Sequence, residues 1–336
     1  MTIILSMNNI TVCYSTHRPE TLELTARIME DHDIIILEEP YHADFASVLS
    51  GGIKIQDHLL ELDFGYPEFS LGQYQLLQQF ARVGKQILQI EPYLDHLLDL
   101  QFFLADDHGP DEIEPGTVAY SVYCRERDAT GLLIQYYREV QGGDFINILS
   151  AMNAFAKADA ARFVLRDSLR AQRILEVLVT GEKTYIEAGS IHYLLYRLLA
   201  KNLSGLPEKW QLHMHSVDRE AIQILNHRGS IFSPGDHLTL SYIFGRKLSR
   251  QKWALECAQA LIFSKIIQKE EIWSSGLEFP HTRNEIESIA AVKNLSLETC
   301  RILFQRIRNL SSEEAAEVVK KESSMSLTIK KSAGWQ

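Results

Sequence analysis

Apolar runs alternate with amphipathic stretches along the first hundred residues of the chain. Residues 10–14 are a short apolar run that predicts a strand, and Pro19 suits the first turn of the helix predicted to follow it. The run "DIIIL" at 33–37 is typical of a parallel strand covered on both faces. A second helix is predicted to end near Gly84, before a strand "QILQI" at 86–90. This alternation predicts a largely parallel sheet.

The pattern becomes mostly helical from Pro92 to about residue 179, and it is helical again from about residue 237. Strand, helix and strand return between these two segments, within residues 183–217. We therefore predict an α/β protein with a mixed, largely parallel sheet, helices on both faces, a helical insertion and a helical C-terminal region. The predicted boundaries are an α/β domain over 1–235 with the insertion at about 92–180, a helical region over 236–325 and a frayed tail over 326–336.

Composition and charge narrow the partners of this protein. Of its 336 residues, 46% are apolar and 23% are charged, which is typical of a globular protein. The formal net charge is -10 without a basic tract, which argues against nucleic-acid and membrane partners. We interpret the N-terminal "MTIILSMNNITV" as a strand rather than a signal peptide. Four widely spaced cysteines without a CxxC pair indicate reduced thiols and a cytoplasmic protein.

Imidazoles and carboxylates follow four of the predicted strands, at the point where each strand ends. In chain order they are His17, then Glu38 and Glu39, then Glu91, and then Glu187 and His192 with Gly189 between them. A single polar residue after a strand ordinarily begins a loop, so the hypothesis depends on the joint pattern. Ligands of open α/β sheets bind outside the carboxyl ends of the strands, where these groups would converge. Such a set suits a divalent metal with an open position for water, and it equally suits a metal-free general base.

The stretch "YSTHRPETLELTARIMEDHDIIILEEP" at 14–40 resembles the opening motif of the TraB/Tiki family. In that family a G-T-x-H precedes a helix and a hydrophobic strand that closes on a glutamate. His17 matches the histidine of the motif, and Glu38 matches the glutamate at the end of the strand. Tyr14 stands where the family motif has glycine, which permits close backbone approach. A tyrosine there would narrow the pocket or supply a hydroxyl.

A second stretch, "ARFVLRDSLRAQRILEVLVTGEKTYIEAGSIHYLL" at 161–195, resembles the second block of the same family. Arg166 and Asp167 match an Arg-Asp pair on a helix, and Gly189 and His192 match a G-x-x-H after a strand. The resemblance extends over roughly residues 8–215, and the haem-associated ChaN proteins and the erythromycin esterases look like more distant relatives. It implies a metal-dependent hydrolase, peptidase-like in Tiki proteins and ester-cleaving in the erythromycin esterases.

Four arginines lie close to one stripe of the helix predicted at the start of this second stretch. They are Arg162, Arg166, Arg170 and Arg173. We interpret the outer two as a solvated face with acidic partners, and the inner two as groups that hold an anion or stabilise an oxyanion. Asp167 either orients a histidine or pairs with Arg170 along the helix. His213 and His215 share one face of a later strand, which favours a solvent face over a metal site.

Two hypotheses of function follow from these residues. The first is metal-assisted hydrolysis of an ester or amide in a small molecule or peptide, with His17, Glu38 and His192 as ligands of Mn, Co or Zn. His17, His192, Glu38 and Glu91 would be ligand or base, with Glu39 and Glu187 nearby and Arg166 stabilising negative charge. Without a metal, Glu38 or His17 would serve as base. The alternative is a binding or regulatory protein that retains the fold, ligand- or haem-binding like ChaN proteins. Homo-oligomers are compatible with either hypothesis.

Overall fold

The computed structural model describes residues 8–61, 66–272 and 276–333. Its described strands form one five-stranded sheet in the order β3-β2-β4-β1-β5. The strands are β1 (Asn8–Ser15), β2 (Ile34–Leu37), β3 (Gln86–Gln89), β4 (Lys183–Gly189) and β5 (Trp210–Ser216). The predicted α/β fold class is confirmed, and every strand pair among the described residues is parallel, so this sheet is not mixed. The strand predicted at the N-terminus is confirmed from Asn8, and residues 1–7 lie outside the described ranges.

Fourteen α-helices accompany the sheet in the described ranges. They are α1 (Leu22–Glu30), α2 (Phe45–Ser50), α3 (Ile55–Glu61), α4 (Pro67–Arg82), α5 (Pro92–Ala105), α6 (Val118–Gly142), α7 (Phe145–Val177), α8 (Tyr193–Leu203), α9 (Val217–Ile224), α10 (Pro234–Ile243), α11 (Arg250–Ile266), α12 (Pro280–Lys293), α13 (Leu297–Ile307) and α14 (Ser312–Ala333). The segment predicted as a frayed tail is therefore helical as far as Ala333, and residues 334–336 lie outside the described ranges.

The parallel register brings the carboxyl ends of the strands to one edge of the sheet. Ser15 at the end of β1 lies opposite Gly189 at the end of β4, and Tyr14 lies opposite Ser216 at the end of β5. Leu37 at the end of β2 lies opposite Gln89 at the end of β3. Residues that follow these strands are therefore neighbours in space, as the sequence pattern predicts.

Helices cover both faces of the sheet. On one face, residues such as Val12, Ile36 and Ile186 pack against apolar residues of α7 and α8, including Ile174 and Leu199. On the other face, Gln73 of α4 donates a hydrogen bond to Glu187 of β4, and His32, which follows α1, is hydrogen-bonded to Thr11 of β1. Because both faces are covered, the central strands are apolar on both sides, which explains the continuous apolar run of β2.

The chain divides into two compact units. The α/β unit comprises residues 1–124 and 163–221, and the helical unit comprises 125–162 and 222–336. The division falls at Ala221 rather than the predicted 235, and residues 125–162 of the predicted insertion group with the C-terminal helices. The helical unit has a core of its own, which includes Ile148 and Leu303. None of the described helices is long and apolar enough to cross a membrane.

Candidate active site

His192 lies between two carboxylates at the sheet edge of the α/β unit. It is the N-cap of α8, and its ring is almost completely buried. Its Nδ1 bonds the Asp167 carboxylate, and its Nε2 lies 3.0 Å from Oε1 of Glu38. The second oxygen of Asp167 accepts the backbone N–H of Leu195 at 3.0 Å. Of the two predicted arrangements for Asp167, the structure shows the contact with the histidine.

The two carboxylates keep His192 protonated at neutral pH. Burial alone would lower its pKa, but the charges of Glu38 and Asp167 and the hydrogen bonds to both raise the pKa to about 9. Both ring nitrogens then carry protons that face carboxylates. His192 is consequently a cation and a proton donor at neutral pH, and neither nitrogen has a lone pair to accept the proton of a water molecule.

Stability should fall with rising pH because of this histidine. A histidine whose pKa is raised on folding, here from 6.5 to about 9, stabilises the native state below its unfolded pKa and loses that contribution as pH rises through the folded value. We expect the free energy of unfolding to drop by about 2 kcal/mol between pH 7.5 and 9.5. Urea titrations measure this change, and His192→Gln should remove most of it. Equal pH slopes in the two proteins would contradict the assignment.

Glu38 is the most heavily bonded carboxylate of the cluster. Its oxygens accept hydrogen bonds from Nη2 of Arg166 at 2.8 Å and from the backbone N–H of Gly189 at 2.5 Å. Nη1 of Arg170 lies 3.4 Å away. Burial alone would raise its pKa, but His192, Arg166 and Arg170 hold the pKa of this carboxyl well below its usual range. Glu38 is thus ionised, and its charge is neutralised by its neighbours, so it is a weak base.

Arg170 fastens the helix α7 to the ends of two strands. Its side chain is completely buried, Nε donates to the carbonyl of Ile90 at 2.9 Å, and Nη2 donates to the carbonyl of Glu187 at 2.7 Å. These carbonyls lie at the ends of β3 and β4. The guanidinium therefore holds the sheet edge together, and this structural task accounts for its burial better than contact with a ligand does.

Glu91 is buried completely beside both arginines. Its Oε2 lies 3.2 Å from Nε of Arg166 and 3.7 Å from Nε of Arg170, close enough for ion pairs but without hydrogen-bond geometry. Among the described residues, neither of its oxygens accepts a hydrogen bond. Burial raises its pKa even though the two arginines act in the opposite direction. The pKa of Glu91 is therefore shifted in the opposite direction to that of Glu38, although both carboxyls face the same two arginines.

Glu187 links this cluster to His17. Its Oε2 accepts the backbone N–H of Glu38 at 3.0 Å, and its Oε1 accepts Nε2 of Gln73 at 2.5 Å. Nε2 of His17 lies 3.7 Å from the same Oε1 and forms no hydrogen bond with a described residue. His17 has a φ of 53°, a left-handed conformation that is uncommon for residues with a side chain. Such strain is typical of functional positions.

Glu39 lies next to Glu38 in the chain but has a different environment. It accepts hydrogen bonds from the hydroxyl of Tyr74 at 2.9 Å and from Nε2 of Gln89 at 3.0 Å. Burial and the charge of Glu187 raise its pKa to about 7, although the two hydrogen bonds oppose the shift. Consecutive glutamates therefore have pKa values shifted in opposite directions, an arrangement found where one carboxyl holds charge and another exchanges protons.

Tyr14 supports the loop that carries His192. Its ring is buried and stacks on Tyr193 with centroids 4.4 Å apart, and its hydroxyl donates to the carbonyl of His192 at 3.4 Å. The hydroxyl is therefore occupied by a backbone carbonyl. The side chain has no exposed surface with which to narrow a pocket.

The outer groups of the predicted motifs have ordinary surface roles. Arg173 pairs with Glu176 at 2.7 Å, and Arg162 pairs with Asp159 at 2.6 Å, so both have the acidic partners that the sequence predicts. His215 bonds Glu220 at 2.9 Å rather than sharing a ligand with His213.

Sequence reasoning missed several polar partners at the sheet edge. Gln73 and Tyr74 lie inside α4, where the sequence does not indicate which side chains face the sheet. Asp218 was detectable, because it follows β5 just as the predicted carboxylates follow their strands. It is buried, and its Oδ1 accepts two hydrogen bonds from Thr16.

The predicted metal ligands are not grouped as one metal centre among the described residues. His17 lies beside Glu187, whereas His192 lies beside Glu38, and the protonated His192 directs its Nε2 at that carboxylate. The oxygens of Glu38 already face two guanidinium groups, which would repel a cation. In the described ranges no group of three or more His, Cys, Asp or Glu side chains is arranged to hold a metal ion. Metal binding stays a prediction of the sequence.

Comparison with known proteins adds one relative. The chain is 26% identical over 296 residues to a protein of Archaeoglobus fulgidus described as uncharacterized, a match that covers 88% of this chain and 97% of that protein. No protein-family model matches the chain, and no solved structure matches it. The resemblance to TraB/Tiki proteins therefore stays a prediction from the motif residues.

Proposed function

We propose that this protein hydrolyses an ester or amide bond in a small molecule or peptide, and that protein side chains alone activate the water. The observation that carries the proposal is the grouping at one sheet edge of a protonated His192, Arg166 with the buried Glu91 beside it, and a strained His17. General acid–base catalysis needs a positioned base and acid, and fixed positive charge nearby stabilises the oxyanion that forms.

His17 is the base in this proposal, because the other candidates are unsuited to it. His192 is already protonated, and Glu38 is neutralised by three cationic neighbours. His17 retains an Nε2 without a hydrogen-bond partner among the described residues, with Glu187 3.7 Å away to stabilise the imidazolium that forms. Imidazole is the side chain best suited to exchange protons near neutral pH.

The cationic groups of the cluster would stabilise the charge that develops on the substrate. Nε2 of His17 takes one proton from water, and the oxygen of that water forms a bond to the carbonyl carbon. The electron pair of the carbonyl moves to its oxygen, beside Arg166, which keeps 20% of its side chain exposed. The bond to the leaving group then breaks, and the His17 imidazolium supplies its proton, which restores the base. Acid and alcohol, or acid and amine, are the products.

A panel of chromogenic esters and amides tests the proposal. The panel contains nitrophenyl esters of increasing acyl length, lactones and aminoacyl nitroanilides, and each is assayed with the full-length protein and with Arg166→Gln. We expect hydrolysis of at least one class, with kcat reduced about 100-fold or more in the variant. Arg162→Gln is the matched control, because Arg162 lies one helical turn away and pairs with Asp159.

A ligand-binding protein without catalysis is the second candidate. The dense bonding of Glu38, which already accepts hydrogen bonds from Arg166 and Gly189, favours it. A panel without any hydrolysis, together with a ligand that raises the melting temperature of the wild type but not of Arg166→Gln, would support this candidate over the hydrolase.

A further inference from the structure

Asp218 lies at the end of the fifth strand, where sequence reasoning assigned no function. It follows β5 in the first turn of α9, and only 5% of its surface is exposed. Its Oδ1 accepts the backbone N–H of Thr16 at 3.2 Å and the hydroxyl of Thr16 at 2.9 Å. A buried carboxylate that accepts both donors of one residue fixes the position of that residue.

Thr16 precedes the strained His17 directly. A left-handed backbone persists at a residue with a β-carbon only when its surroundings determine the conformation. Here two sets of hydrogen bonds hold the chain that leads into the strained residue. Asp218 holds Thr16, and the backbone N–H of His17 donates to the hydroxyl oxygen of Ser15 at 3.2 Å, which in turn bonds Thr21 at 3.1 Å.

The turn determines where the imidazole lies. The ring of His17 contacts Phe69 of α4 with centroids 5.3 Å apart, and its Nε2 lies 3.7 Å from Glu187 of β4. In an ordinary right-handed or extended conformation the side chain would leave the backbone in another direction and would lose both contacts.

We propose that Asp218 is a positioning residue, which holds Thr16 and thereby keeps His17 in the left-handed conformation that places its imidazole at Glu187. Asp218 does not touch the reacting atoms in this arrangement. Asp218 follows β5, the strand at the edge of the sheet, and it supports His17, which follows the neighbouring strand β1. Only the kinetic consequence of this role rests on the proposed hydrolase function.

The nuclear Overhauser effect between the rings of His17 and Phe69 measures the position directly, in full-length protein with labelled histidine and phenylalanine rings. His17→Gln assigns the signal. We expect the effect to be lost in Asp218→Ala and kept in Asp218→Asn, whose amide oxygen still accepts both hydrogen bonds. It should also be kept in Glu220→Gln, a matched control that removes another carboxylate from the same helix. A contact that persists in Asp218→Ala would overturn the proposal.

A second variant covers the case in which Asp218→Ala does not fold. Thr16→Val removes the shorter of the two hydrogen bonds and leaves the buried carboxylate in place. We expect a weaker effect between the His17 and Phe69 rings, and an unchanged intensity would overturn the proposal in the same way.

Kinetics separate this proposal from the proposed function. If the wild type hydrolyses a substrate, Asp218→Ala should lower kcat about 100-fold with little change in KM, because a displaced base loses its alignment. Asp218→Asn should restore most of the rate. If the wild type hydrolyses nothing while the ring contact still depends on Asp218, the proposed function fails and the positioning role stands.

Discussion

Arg170→Met should destabilise the α/β unit by about 3–5 kcal/mol, the cost of removing one partner from a buried ionic network. The arginine is completely buried, and its loss would leave the carbonyls of Ile90 and Glu187 without their donor. It would also leave Glu38 and Glu91 with one cation fewer. Methionine fills a similar volume, so the cost would come from the unpaired polar groups rather than from a cavity. Urea denaturation followed by circular dichroism measures the change.

Arg173→Met on the same helix is the control for this prediction. Arg173 pairs with Glu176 at the surface, where 57% of its side chain is exposed, so its removal should change the free energy of unfolding by less than about 0.5 kcal/mol. Similar small effects in both variants would show that Arg170 does not hold the sheet edge together.

His17→Asn should reduce hydrolysis about 100-fold to 10,000-fold, the contribution expected of a general base. Asparagine tolerates the left-handed conformation of this position, so the turn should survive while the base is lost. The rate on the best substrate of the panel measures the effect, and thermal unfolding verifies that the variant is folded.

His213→Asn is the matched control for the loss of an imidazole. His213 is exposed on β5, and its replacement should leave the rate unchanged. If His17→Asn retained the wild-type rate, His17 would not be the base. If both variants lost activity equally, the loss would not be specific to the site.

The sequence predicted the sheet edge well because each polar residue follows a run that must be buried. The apolar strand 34–37 ends at Leu37, so Glu38 and Glu39 had to leave the core at the carboxyl edge. The same logic predicted Glu91, Glu187 and His192, and it would have found Asp218 had it been extended to the fifth strand.

Other features could not be predicted, because the sequence does not encode them locally. The partners of Arg170 include two backbone carbonyls, which every residue offers alike. The left-handed turn at His17 lacks the glycine or asparagine that ordinarily indicates one. The division of the chain at 124 and 162 falls inside α6 and α7, where helical periodicity continues although the packing partners change.

The opposite environments of neighbouring glutamates also depend on distant residues. Glu38 receives its charge partners from α7 and from His192, whereas Glu39 receives neutral partners, Tyr74 and Gln89. Nothing in the pair "EE" distinguishes the two residues. Only the tertiary structure assigns a low pKa to one and a pKa of about 7 to the other.

The measurement that tests the central claim most directly is the hydrolysis rate of protein freed of metal. The wild type and His17→Asn are dialysed against EDTA and assayed on the panel of esters and amides, before and after addition of Mn²⁺, Co²⁺ or Zn²⁺. The proposal predicts hydrolysis by the metal-free wild type, no increase on adding metal, and loss of the rate in His17→Asn. A rate that appears only with metal, or one that is equal in both proteins, would contradict activation of water by His17.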